Sequence, residues 1–152
     1  MGKSLSNPKI YQEIYQRIAL LHPKSPAKWG KMNAAQMLWH CHKILEIPTG
    51  DLFLQEIPIV FKAIGIFTKY EIQWLNNGIP HNMPTFGVVK APKDCNFEES
   101  ESALLKTLAD YQKLSIQNKL PTKHVLFGKM KKSDWDFLEY KHLDHHLKQF
   151  GV

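Results

Sequence analysis

The 152-residue sequence predicts an all-α fold, an antiparallel four-helix bundle with a long irregular insertion between its second and third main helices. Three observations predict it. Four segments carry apolar residues at spacings of three and four, the signature of one buried helical stripe. Cap residues, prolines and glycines bracket those segments where helices should start and stop. No segment alternates convincingly between apolar and polar as a half-buried strand would, which leaves helix-on-helix packing.

The first helix is expected from Pro8 to Leu21, with Asn7 as its cap, Pro8 at the first helical position and Ile10, Ile14, Ile18 and Leu21 along one stripe. His22-Pro23 ends it, and Pro23, Pro26 and Gly30 mark a loop. The second is expected to open at Asn33 and run to Ile47, where Pro48 and Gly50 stop it. Residues 51–75 are ambiguous, readable as a helix kinked at Pro58 whose aromatics pack on the bundle or on a partner. Residues 76–94, with Pro80, Pro84 and Pro92, read as irregular loop. The third main helix should span Asn96 to Asn118, with an apolar face of Leu104, Leu105, Leu108, Tyr111 and Leu114. Pro121 and Gly128 punctuate the next loop. The last helix should run from Ser133 to Gln149, with Asp136 closing an approximate capping box and Gly151 beyond its end.

Length and composition fit one domain over residues 1–152, large enough to bury its own core. The two cysteines, Cys41 and Cys95, are unpaired in pattern, which argues against a disulfide framework or a thiolate zinc site and for a reducing, cytoplasmic setting. The start matches no signal peptide. Met1-Gly2 with Ser6 formally fits a myristoylation pattern, but a frayed terminus is the simpler reading. The stretch from Leu52 to Phe67 is broken by Gln55, Glu56, Pro58 and Lys62, so no membrane span is expected. A net charge of +6 is spread along the chain, apart from Lys129, Lys131 and Lys132, and no recognition motif accompanies it. Nucleic-acid binding is therefore not expected.

Eight histidines is a high count for this length, and five fall in two short clusters. A helix advances about 100° per residue, so positions four apart lie within roughly 40° of each other. On the last helix Trp135, Glu139, His142 and His146 form one stripe flanked by Leu138, Leu143, Gln149 and Phe150. Lys141, Asp144 and Lys148 lie opposite, and His145 sits at the edge. On the second helix His40 shares a side with Met37, Cys41, Ile44 and Leu45, whereas His42 turns away with Trp39, Lys43 and Glu46. Three inward imidazoles, His40, His142 and His146, would form a facial set with coordination positions open for water or substrate. Hydrogen-bonded core histidines would produce the same spacing, and spacing alone leaves the two readings open.

The string WGKMNAAQMLWH, from Trp29 to His40, and the terminal KHLDHHLKQFG resemble the DinB/YfiT-like superfamily, most closely an uncharacterised bacterial branch, over nearly the whole chain. The resemblance implies a four-helix bundle in up-up-down-down style. It also implies a divalent metal, nickel or zinc, held by His40, His142 and His146, with Gln149 where that family often has glutamine after the last ligand. Relatives of that kind include S-transferases that use bacillithiol or mycothiol, a mycothiol-dependent maleylpyruvate isomerase and hydrolase-like proteins. A small-molecule substrate, and a low-molecular-weight thiol as cofactor, are accordingly expected.

Other residues fill out the expected site. Glu139, one turn before His142, would orient a ligand or act as a general base, against a salt bridge near the helix start. Gln36, a turn before His40, and His124, ahead of Phe127-Gly128, are candidate cofactor- or substrate-binding residues. A surface-loop histidine is the simpler reading of His124, and also of His81. Trp29, Trp74 and Trp135 read as core or groove walls. The competing expectation is a non-catalytic interaction protein with a degenerate site, using the apolar 52–75 segment as partner surface; that segment also fits a homodimer.

Overall fold

The computed structural model describes residues 3–75, 79–81 and 84–152. Among these the chain is mostly helical: α1 (Pro8–Ala19), α2 (Ala34–Thr49), α3 (Ile59–Leu75), a single 3-10 turn (Gly87–Val89), α4 (Phe97–Ile116) and α5 (Lys132–Gln149). A two-stranded antiparallel hairpin, β1 (Lys123–His124) and β2 (Gly128–Lys129), was not anticipated; each strand is too short to leave an alternating pattern. No helix among the described residues is long and apolar enough to cross a membrane. Met1 and Gly2, and part of the 76–94 loop, lie outside the described residues.

The helix starts follow their cap chemistry. Asn7 accepts from the Lys9 N–H, and Asn96 accepts from the Glu99 N–H. Asn33 and Gln36 form a reciprocal capping box, each side chain bonding the other's backbone N–H at 2.9 and 3.0 Å. Two expected boundaries differ. α2 continues through Pro48 to Thr49, because a proline in the last turn withdraws only one donor, and Gly50 then closes the helix at φ 87°. Pro58 does not kink a helix; it immediately precedes α3.

One core is shared by α1, α2, α4 and α5, with Ile14, Ile18, Leu38, Leu45, Leu104, Leu108, Leu143 and Leu147 buried in it. α2 and α4 form the most extensive helix pair, and α5 touches both α2 and α1. The expected solvent face of α5 is covered in part, for Lys148 is exposed and Lys141 half-buried. Asp144 is buried and pairs with Arg17 of α1 at 2.8 Å and with Lys148 at 2.6 Å.

The start of α5 corrects another expectation. Ser133 and Asp136 do not form a capping box. Asp134 instead accepts from the Lys131 N–H at 2.9 Å, two residues earlier. Asp136 is free to face inward, where it accepts from Tyr111 (2.9 Å), Ser115 (2.8 Å), Ser6 (2.6 Å), Ser4 (3.2 Å) and Lys132 (2.8 Å). This knot ties the N-terminal segment and α4 to α5.

Candidate metal centre

His40 reaches the centre of the fold from α2, and His142 and His146 reach it from successive turns of α5. The spacing of four on α5 sets their rings at a centroid separation of 4.6 Å. The His40 ring lies 5.1 Å from His142 and 5.0 Å from His146. One potential ligand atom from each residue falls within 4.8 Å of the others. Sequence geometry and structure therefore bring together the same three imidazoles.

Hydrogen bonds fix how two of these rings present themselves. His40 Nδ1 stands 2.7 Å from the Val89 carbonyl, which can only accept, so Nδ1 carries the proton and Nε2 a lone pair. Gln149 donates through Nε2 to the Trp29 carbonyl at 2.8 Å, which leaves its Oε1 to accept from His146 Nδ1, also at 2.8 Å. His146 therefore also keeps its lone pair on Nε2. His142 Nε2 lies 3.1 Å from His40 Nε2, and its Nδ1 is sealed from solvent with no partner. Burial lowers the pKa of all three: His146 to about 3, His142 well below its ordinary value with help from the neighbouring histidines, and His40 against a partial offset from Val89. The cluster is neutral at physiological pH.

Glu139 is buried on the same stripe, as expected, but in no salt bridge. Burial alone pushes its carboxyl up to about 8, and Oε2 has no hydrogen-bond partner. The buried thiol of Cys41 is raised by burial and then by Glu139. Glu139 is thus a protonated acid at neutral pH, one turn from the imidazole with the unsatisfied nitrogen.

The remaining candidates are used elsewhere. Gln36 spends its amide on the α2 cap and on the Pro92 carbonyl, 3.1 Å away. His124 is not a surface-loop residue. It is buried in the hairpin, accepts from the Leu126 and Phe127 N–H groups at 3.0 and 3.2 Å, and packs on Phe127 and Trp135. Trp135 is core, with Nε1 donating to the Pro121 carbonyl, whereas Trp74 is 82% exposed and walls nothing. His42 turns to Thr107 and Glu46, as its side of α2 implies.

Sequence reasoning missed three contributors. His81 stacks on Trp29 with centroids 4.0 Å apart, and His145 meets both rings edge-on or tilted. With Lys141 and Lys148 they line a cavity of about 130 Å³ beside the His146 turn. The carbonyls of Val89 and Trp29 are the other two. Loop placement brings in His81, Val89 and Trp29, and no periodic signal marks them, whereas His145 lies on α5 at the edge its period gives.

These residues fit a divalent cation. Three buried imidazoles, two of them with the lone pair fixed on Nε2, bring one potential ligand atom each within 4.8 Å of the others, which is a donor set that zinc, nickel and similar ions take. No curated protein and no solved structure matches the chain. A family profile described as "Protein of unknown function (DUF1569)" matches residues 3–151, and the chain belongs to that family.

Proposed function

We propose that this protein is a metal-dependent enzyme of the DinB-like type, a four-helix bundle that holds one divalent ion, nickel or zinc, with His40, His142 and His146. The observation that carries the reading is the pair of locked tautomers. Val89 and the Trp29–Gln149 relay leave the Nε2 lone pairs of His40 and His146 free to bind, and His142, whose Nδ1 has no partner, meets His40 through Nε2 at 3.1 Å, where it either donates its proton or shares a cation.

An ion bound there would act as a Lewis acid, drawing the pKa of a thiol or water toward neutrality. That chemistry suits S-transfer from a low-molecular-weight thiol, or hydrolysis. The chain's own contribution is orientation and protons. Glu139, neutral by burial and with Oε2 unengaged, supports a role as a hydrogen-bond donor or proton source beside His142. A small-molecule substrate is supported by the cavity that Trp29, His81, His145, Lys141, Asp144 and Lys148 line, which adjoins the ligand set through the His145–His146 ring contact.

Elemental analysis of the purified protein should find close to one nickel or zinc per chain, and His142→Ala/His146→Ala should lose it. Stoichiometric metal retained by the double variant would defeat the reading. A non-catalytic interaction protein is the second reading, favoured by the exposed apolar side chains of α3. Heat-stabilisation by a low-molecular-weight thiol, seen only in metal-loaded protein, separates the enzyme from the binder.

A further inference from the structure

Among the described residues, most of the exposed large apolar side chains lie on α3. Gly65, Lys69 and Ile72 are buried and dock the helix, with Lys69 Nζ donating to the Lys129 carbonyl at 2.7 Å and Gln73 to Asp134 at 3.0 Å. The opposite face is left uncovered. At 100° per residue, Val60, Ile64, Phe67 and Trp74 fall along it at seam spacing, with Ala63 and Tyr70 beside them. Val60 is 64% exposed, Ile64 56%, Phe67 71% and Trp74 82%. The only charge on this face is Glu71.

Size and pattern say what covers it. The exposed parts of Val60, Ile64, Phe67, Tyr70 and Trp74 on this face sum to roughly 600 Å², taking whole aromatics at 150–250 Å² each, and the flanking Phe53, Ile59 and Phe61 bring the apolar surface of this segment to about 1,000 Å². The largest patch on an ordinary monomer is roughly 300–600 Å², and a standard interface takes about 800 Å² from each partner. The seam is also complementary to itself. With two copies of α3 antiparallel about a two-fold at Phe67, Trp74 lies opposite Val60, Tyr70 opposite Ile64 and Glu71 opposite Ala63. Away from the axis, where Phe67 meets Phe67, each large side chain meets a smaller one, and no like charges meet. A membrane surface fits less well, because an interfacial helix carries free Lys or Arg on its flanks. Here Lys62 is paired with Glu56 at 2.5 Å, and Lys69 is turned into the fold.

We propose that a second copy of this chain packs on the exposed face of α3, forming a two-fold homodimer in which Phe67 meets its own counterpart. The inference does not depend on the metal reading, since α3 docks on the hairpin and the start of α5.

Sedimentation equilibrium at tens of micromolar tests it. The wild-type protein should run at twice the 17.6 kDa chain mass. Phe67→Glu and Phe67→Lys should each run as one chain with unchanged far-UV dichroism, because like charges then face each other across the axis. Mixed one to one, they should return to the doubled mass. Trp74→Ala, a neutral truncation, should weaken the wild-type dimer at least tenfold. A single-chain mass for the wild type would overturn the proposal, whether or not the protein then floats with phosphatidylcholine/phosphatidylserine vesicles. So would a dimer surviving in both charged variants, or a mixture that stays monomeric.

Discussion

A histidine becomes a ligand only when its lone pair is on the right nitrogen, and in this chain that choice is made by groups one step away. Gln149 illustrates the point. Its amide is oriented by the Trp29 carbonyl, which can only accept, so Oε1 must face His146 and hold the proton on Nδ1. Gln149→Leu keeps the volume but leaves both His146 Nδ1 and the Trp29 carbonyl unpartnered in a buried place. Loss of such an outer partner typically weakens metal affinity about 10–100-fold. A chelator-competition titration with zinc or nickel should show that drop while Gln149→Glu, which restores an acceptor for Nδ1, recovers part of it. Equal affinities for wild type and Gln149→Leu would mean that the tautomer is set by something else. The grouping of the three histidines was legible in the sequence, because spacing on a helix fixes direction and His42 could be set aside on the same ground. Val89, Trp29 and His81 were not legible. Any residue supplies a carbonyl, and loops deliver these three without a period to read.

At the scale of the element, α3 shows why an apolar run without a clear stripe resists interpretation. Both of its faces carry apolar side chains, so the buried one does not announce itself; what docks the helix is the close approach permitted at Gly65. A β-carbon there would come within 2.5 Å of Leu126, including its backbone oxygen. In an open helix position Gly65→Ala would stabilise by up to about 1 kcal/mol through propensity. Here the clash involves backbone that cannot rotate aside, and overpacking costs typically 1–3 kcal/mol, so the net effect should be destabilising. Hydrogen exchange should show faster exchange across α3 and the hairpin, with α2 and α4 unaffected. Protection equal to wild type would mean that the hairpin yields more easily than its backbone contact implies. The α5 start was misread for a related reason. The Ser133–Asp136 spacing imitates a capping box, but tertiary hydroxyls on α4 and the N-terminal segment claim Asp136, and Asp134 takes the cap.

Across the whole molecule, the buried carboxylate of Asp136 couples pieces of chain that the apolar core does not join in sequence: Ser4 and Ser6, Tyr111 and Ser115 of α4, and Lys132 of α5. Burial alone would raise its pKa. The hydrogen bonds from Lys132, Ser6, Ser115 and Tyr111 outweigh burial and hold it below the ordinary value of 3.8. A carboxyl whose pKa is depressed by folding adds stability that is fully present above the unfolded value and is lost as pH falls through the folded one. Asp144, held down by Lys148 and Arg17 against its own burial, acts in the same direction. Asp136→Asn keeps an acceptor but removes the charge that its donors serve. Since hydrogen bonds to charged groups are worth about 1.5–3 kcal/mol, urea unfolding at pH 7 should show a loss of that order. As pH falls below the ordinary value of 3.8 the gap between wild type and variant should narrow, because the unfolded wild type then takes up the proton that its folded carboxylate resists, while Asp144 keeps part of the acid sensitivity in both. A gap that stays constant from pH 7 to pH 2 would show that Asp136 stabilises the fold by shape rather than by charge.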